Sequence, residues 1–158
     1  ALRTLKEAGY SLIVISNQAV VARGLLTESS LDELHLEMVR RLELAGAPPL
    51  DAIYYCPHHP EATLPAYRVS CDCRKPAPGM ILRAAQQHRL DLARSFMVGD
   101  RLTDIAAGDS AGCRTVLVRT GKHLAATIVT GQPMNAAIRP DFECDDLQQA
   151  AAWIVEQP

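Results

Sequence analysis

The sequence predicts an α/β protein in which a doubly wound parallel sheet carries a long cysteine-rich loop. Three observations point to it. Short apolar runs of strand type alternate with helix-type stretches along the 158 residues, and strands separated by helices imply right-handed crossovers and a parallel sheet covered on both faces. The polar groups Ser16-Asn17, Arg74-Lys75 and Gly99-Asp100 fall at or just after predicted strand ends, where such sheets bind their ligands. Cys56, His58, Cys71 and Cys73 cluster in one connection between a strand and a helix.

The elements follow in order. Ala1 to Ala8 reads as the end of a helix, with Gly9 as its left-handed stop. Ser11 to Ile15 is a strand ending at Ser16-Asn17-Gln18. A second helix is expected from Ser30, with Glu33 completing a capping box. Leu31, Leu34, Met38 and Leu42 form its apolar stripe, and Gly46 closes it. Asp51 to Tyr55 is the next strand and leads into the cysteine-rich loop. Pro78 begins a helix containing Ile81, Leu82 and Ala85. Ser95 to Val98 is a strand that delivers Gly99-Asp100. A helix from Thr103 to Ala111 ends at Gly112, and Thr115 to Val118 is another strand. Thr120 to Pro140 is a long connection with room for a short helix. Asp145 caps a last helix carrying Leu147, Ala151 and Ile154.

Bulk properties bound the function. At 158 residues, residues 1–158 are expected to make a single domain. Apolar residues are 48% and charged residues 22%, an ordinary globular composition. A net charge of −2 argues against a general nucleic-acid binder, which needs a basic surface. The longest apolar runs, such as Leu12 to Ile15, are too short to span a bilayer. Five cysteines in a metal-type pattern, with no secretory segment, fit the reducing cytoplasm. Cys113 and Cys144 lie outside the cluster and read as buried small hydrophobes.

The cluster is Cys-Pro-His, twelve residues, then Cys-Asp-Cys, followed directly by Arg74-Lys75-Pro76. Three thiolates and an imidazole make a closed tetrahedral zinc set that leaves no position for water. Ligand pairs with one intervening residue suit a metal-stapled loop better than a free-standing finger. The competing reading is disulfides or two unrelated Cys-x-Cys accidents, but Cys71 and Cys73 are too close to bridge each other easily. The staple would place Arg74 and Lys75 rigidly.

The strand-end residues describe a phosphate site beside a divalent cation. Ser16 can donate to a phosphoryl oxygen, and Lys75 can neutralise it as a point charge. Asp100 offers the hard oxygen that magnesium prefers. Asp104, on the first turn of the following helix, can hold Lys75 or a metal-bound water. Each signal alone is weak: Ser-Asn is common in turns, and Gly-Asp commonly opens helices. Gly121-Lys122 is not a phosphate-cradling P-loop, since no glycine sits five positions before Gly121. The weight lies in the clusters' recurring at successive strand ends.

The segments Ser16-Asn17-Gln18, Ala22-Arg23-Gly24, Tyr54-Tyr55-Cys56-Pro57-His58-His59-Pro60, Cys71-Asp72-Cys73-Arg74-Lys75-Pro76 and Val98-Gly99-Asp100-Arg101 resemble the haloacid dehalogenase superfamily. Within it they resemble the zinc-containing D-glycero-D-manno-heptose 1,7-bisphosphate 7-phosphatases of lipopolysaccharide-core synthesis, over nearly the whole chain. The resemblance implies Ser16 as the hydroxyl on the transferred phosphoryl group and Lys75 as the charge-balancing lysine. It implies Asp100 as the magnesium ligand with Asp104 in support, and Asn17, Arg74 and Arg101 as substrate contacts. Cys56, His58, Cys71 and Cys73 match the zinc ligands; His59 does not belong to that set. The implied cofactors are Mg2+ and Zn2+, and the implied partner is a small sugar phosphate, with the protein a monomer.

The resemblance also implies a nucleophile and an acid/base partner in an Asp-x-Asp motif at the end of a first, central strand, through which an aspartyl-phosphate forms. No Asp-x-Asp occurs in these 158 residues. The chain is therefore expected to be N-terminally truncated, with its sheet in two halves, and inactive alone. Two alternatives stand beside the heptose reading. One is the cousin family of histidinol-phosphate phosphatases, whose zinc loop is typically shorter. The other is a non-catalytic zinc-stapled remnant that binds phosphosugars.

Overall fold

The computed structural model describes residues 1–121, 128–129, 132–133 and 138–158. The chain divides into two compact units, Leu2–Arg74 and, together with Ala1, Lys75–Pro158. The parallel strands fall into two ladders, one in each unit.

The first unit holds helix α1 (Leu2–Glu7), strand β1 (Ile13–Asn17), the short helix α2 (Ala19–Ala22), helix α3 (Glu28–Leu44) and strand β2 (Ala52–Cys56). β1 and β2 pair in parallel, with Ser16 opposite Tyr55 and Asn17 opposite Cys56. At the base of the ladder Asp51 accepts the Leu12 N–H at 2.6 Å and pairs with Lys6 at 2.7 Å. Its own N–H bonds the Leu12 carbonyl. One aspartate thereby sets the register and ties in α1. Leu5, Leu12, Val21, Ala22, Leu31 and Ala62 are buried in this unit.

The second unit runs α4 (Gly79–His88), β3 (Phe96–Gly99), α5 (Leu102–Ala111), β4 (Arg114–Val118), a two-residue pair β5 (Ile128–Val129) and β6 (Gln132–Pro133), β7 (Phe142–Cys144) and α6 (Leu147–Val155). β3, β4 and β7 form a parallel ladder in that order, and β5 and β6 pair antiparallel. Asp141 repeats the role of Asp51: its carboxylate accepts the Thr115 N–H at 2.6 Å and the Thr115 hydroxyl at 3.0 Å. Ile105, Ala107, Val116, Ala150, Ala151 and Ile154 are almost wholly buried. Trp153 stacks on Phe142 at 4.7 Å between centroids, with the Arg114 guanidinium 4.9 Å from its ring.

Most predicted elements are present with edges moved by one or two residues. Strand β1 starts and ends two residues later than expected, so Ser16 and Asn17 lie inside the ladder. Helix α3 begins earlier than Ser30. Thr27 is its cap, in extended backbone, and its hydroxyl accepts the Ser30 N–H at 3.0 Å, so Glu33 lies beyond the capping turn. Asp146 caps α6 by accepting the Gln149 N–H at 2.9 Å, and Asp145 turns instead to Arg119 at 3.1 Å. Leu34, expected in the core stripe of α3, is 52% exposed, and Leu82 of α4 is also exposed. The expected stops hold: Gly9 and Gly112 take φ of +88° and +82°, conformations that favour glycine. Helix α2, strand β7 and the 3-10 turns Pro65–Tyr67 and Leu92–Arg94 have no counterpart among the expected elements. In the stretch Thr120 to Pro140, residues 122–127, 130–131 and 134–137 lie outside the described residues, and with them the expected short helix.

Helix α5 lies close on its ladder because Gly108 has no side chain. A β-carbon there would stand 2.9 Å from the Thr115 methyl and overlap the Met97 β-carbon. Gly108→Ala is expected to lower stability by about 1–3 kcal/mol through overpacking against backbone-proximal atoms. Urea unfolding of the two proteins measures the difference.

Candidate active site and metal centre

Strand β2 delivers Cys56 at its last residue, fully buried, and the following loop returns Cys71 and Cys73 to it. Sγ of Cys73 lies 3.0 Å from Cys56 and 3.3 Å from Cys71, and Cys56 lies 3.6 Å from Cys71. Nδ1 of His58 is 3.4 Å from the Cys73 sulfur and 3.8 Å from that of Cys56. All four donor atoms lie within 4.8 Å of one another. In a tetrahedral zinc site with Zn–S of about 2.3 Å, sulfurs stand about 3.8 Å apart. The set therefore has the composition and nearly the size of a zinc cage. All five cysteines are free thiols, so the disulfide alternative finds no support.

Burial works against charge on two of the three sulfurs. Burial pushes the Cys56 thiol up. Burial, with hydrogen bonds to Cys56 and Cys71, pushes Cys73 well up. At Cys71 burial also acts upward, but contacts with Cys73 and the Arg74 N–H outweigh it and hold the thiol below its usual value. Packed sulfurs cannot all carry charge unless a positive ion sits among them. His59 stands apart, its Nδ1 accepting the Glu61 N–H at 3.1 Å. Arg74 donates to the His58 carbonyl at 3.0 Å, so the residue after the last cysteine is fastened to the loop.

Ser16 and Asn17 are the last two residues of β1, beside Tyr55 and Cys56 in the ladder. The Gln18 backbone N–H bonds the Cys56 carbonyl at 2.8 Å, and its side-chain amide donates to the Ser16 hydroxyl at 2.9 Å. That contact orients the Ser16 oxygen and leaves the hydroxyl hydrogen available for donation. The loop tip joins the helices: Tyr67 donates to Glu28 of α3 at 2.8 Å, and Tyr55 donates to the same carboxylate at 3.1 Å. Burial first, then the Glu28 contact, pushes the Tyr55 phenol up to about 12.

In the second unit Lys75 is buried and its Nζ meets Asp104 Oδ1 at 2.7 Å. The other Asp104 oxygen accepts the Arg101 N–H at 3.1 Å, closing the first turn of α5. Gly99 makes this possible, since a β-carbon there would overlap the Asp104 side chain. Asp100 follows β3 directly, and a β-carbon on Gly121 would overlap its carboxylate. Two glycines thus leave the room in which two carboxylates sit. Gly99 read only as a turn signal and Gly121 as half of a rejected P-loop. Neither residue type carries a trace of the neighbour it accommodates.

Cys144 is buried, as expected. Cys113 is only partly so, with burial pushing its thiol up to about 11. Among the described residues no helix is long and apolar enough to cross a membrane.

Asp104→Ala removes the carboxylate from a buried ammonium and is expected to cost about 3 kcal/mol or more of stability. Asp104→Asn, which keeps the size and one acceptor, is expected to cost less. Thermal or urea unfolding of both variants separates the charge from the packing.

Comparison with known proteins gives a consistent answer. A family model described as HAD-hydrolase-like matches residues 72–150. The D-glycero-beta-D-manno-heptose-1,7-bisphosphate 7-phosphatase of Salmonella typhi is 46% identical over 138 residues, covering 87% of this chain and 70% of that protein. The enzyme of the same name from Escherichia coli K12 is 45% identical over 151 residues, covering 95% of this chain and 76% of that protein. The crystal structure of D,D-heptose 1,7-bisphosphate phosphatase from B. bronchiseptica, complexed with magnesium and phosphate, superposes with a TM-score of 0.78 at 32% identity. It covers 99% of this chain and 82% of that one. The parallel-strand α/β architecture, the Cys/His cage and these likenesses agree, and the chain belongs to the HAD-like hydrolases, in the family of the D-glycero-beta-D-manno-heptose-1,7-bisphosphate 7-phosphatases.

Proposed function

We propose that the chain carries the phosphate and metal sites of a magnesium-dependent phosphatase that removes the 7-phosphate of D-glycero-D-manno-heptose 1,7-bisphosphate. The observation that carries this reading is the buried Lys75–Asp104 pair at 2.7 Å, at the end of a strand that delivers Asp100, in a chain 46% identical to an enzyme of that name.

Each residue then has a role that its chemistry suits. Ser16, oriented by Gln18, donates its hydroxyl to a phosphoryl oxygen. Lys75 balances the negative charge that phosphoryl transfer spreads over those oxygens. Asp104 holds the lysine so that its charge is fixed before substrate arrives, which makes the stabilisation preorganised. Asn17, Arg74 and Arg101 contact the substrate. Asp100 supplies a hard carboxylate oxygen for magnesium, and the absence of a β-carbon at Gly121 leaves that carboxylate its place. Bound there, magnesium neutralises phosphoryl charge. Zinc on Cys56, Cys71, Cys73 and Nδ1 of His58 closes the loop and takes no part in the chemistry. A monomer is the expected working state.

The phosphoryl acceptor is the part this sequence does not provide, because it contains no Asp-x-Asp. The 158-residue chain alone is therefore expected to release no phosphate from the heptose bisphosphate, with or without magnesium. Robust magnesium-dependent release would overturn the assignment of roles. Joined to a segment that ends a strand in an Asp-x-Asp motif, the chain should gain activity. In that form Lys75→Ala should lower turnover by on the order of 10²–10³-fold. Asp100→Asn should raise the magnesium concentration needed for half-maximal rate.

Elemental analysis should find about one zinc per chain. Cys71→Ser should lose the metal and lower stability, since metal binding and ordering of the loop are one process. His59→Ala should keep the wild-type zinc content.

A further inference from the structure

The metal loop spans the residues between Cys56 and Cys73, and the cage holds only its two ends. Its middle needs a separate anchor. Within the loop, the His59 N–H bonds the Tyr67 carbonyl at 3.1 Å, and Arg68 Nε donates to the Ala62 carbonyl at 2.8 Å. Ala62 is buried, and the Leu64 N–H reaches the Ala22 carbonyl at the end of α2. These bonds make the loop compact and set it against α2. A link to the long helix α3 is made by the Glu28 carboxylate.

We propose that Glu28 is a positioning residue for the metal loop: accepting from the phenols of Tyr67 and Tyr55, it latches the loop to the first turn of α3 and holds His58 and Cys56 in ligating position. Glu28 Oε1 takes the Tyr67 hydroxyl at 2.8 Å and Oε2 takes that of Tyr55 at 3.1 Å. Each carboxylate oxygen therefore serves one phenol, and each phenol belongs to the frame of one ligand. Tyr55 directly precedes Cys56 in β2, and the Tyr67 ring stands 6.4 Å from the His58 ring, tilted by 39°. Asp32, one turn further along α3, is only 3.4 Å from the Tyr55 oxygen and is a weaker partner. An acid in the first turn of a helix also complements the helix dipole. That role alone would not bring two phenols from different segments onto its two oxygens. Hydrogen bonds to an ionised acceptor are stronger than neutral ones, so even this exposed latch can bias the loop.

The inference rests on the zinc reading, and one experiment distinguishes their failures. The zinc-loaded 158-residue chain is mixed with excess EDTA, and zinc loss is followed over time. Tyr67→Phe and Glu28→Ala are each expected to speed zinc loss by about tenfold. The double variant should be no faster than Glu28→Ala alone, because Tyr67→Phe removes one of the two bonds that Glu28→Ala removes. Glu28→Gln, which keeps an acceptor oxygen, should fall between. Tyr67→Phe removes one hydroxyl from a half-buried ring, so the fold survives. A mere loss of helix stability would instead shift the urea midpoint of the metal-free chain and leave the two substitutions additive. Additive effects, or unchanged zinc loss in both single variants, overturn the latch while leaving the zinc cage standing. A wild-type chain purified without zinc overturns both.

Discussion

Three cysteine sulfurs stand within 3.6 Å of one another with an imidazole nitrogen beside them, and this crowding constrains everything around it in the first unit. Buried thiols resist ionisation, and packed thiolates repel. All three sulfurs can therefore ionise together only around a cation that shares the charge, and the four donors are grouped closely enough to hold one. The consequence is mechanical as much as electrostatic. A loop that begins at the end of β2 must return to within bonding reach of it, which brings Arg74 onto the His58 carbonyl. The ladder register adds to this, since Asn17 lies opposite Cys56 and the Gln18 N–H bonds the Cys56 carbonyl. The Ser16 hydroxyl and the metal loop are thus parts of one rigid frame.

The second unit solves a different problem, which is how to keep an ammonium buried and still available. Lys75 is 9% exposed, and an isolated charge at that depth would be costly. Asp104 meets it from the first turn of α5, and the same carboxylate satisfies the Arg101 N–H. One side chain caps a helix and holds a lysine. The arrangement requires Gly99 to lack a β-carbon, just as the neighbouring Asp100 requires Gly121 to lack one. Preorganisation of charge here depends on the residues that are smallest.

Much of the fold was legible because its signals are local. The apolar runs, the glycines after α1, α3 and α5, and the alternation of strand and helix are short-range patterns that any αβ crossover must show. Boundaries were less legible. Thr27 and Ser30 are both good caps, as are Asp145 and Asp146, and only the surrounding contacts select between them. Leu34 fits the apolar stripe of α3 by spacing yet is exposed, because spacing defines a face without saying how wide a strip is covered.

The sequence by itself determined the parallel α/β class and the four donors that the structure gathers into one cage, and it singled out Ser16, Lys75, Asp100 and Asp104 for their chemistry. It could do so because chemistry of this kind needs particular atoms, and those atoms belong to particular residue types at constrained spacings. Only the tertiary structure decided that His58 presents Nδ1, that Asp104 faces Lys75 and Arg101 together, and that Glu28 receives two phenols from distant segments. It alone revealed what Gly99 and Gly121 are for. A glycine or an exposed glutamate has no sequence signature for the neighbour it meets, because that meeting is set by packing between segments far apart in the chain.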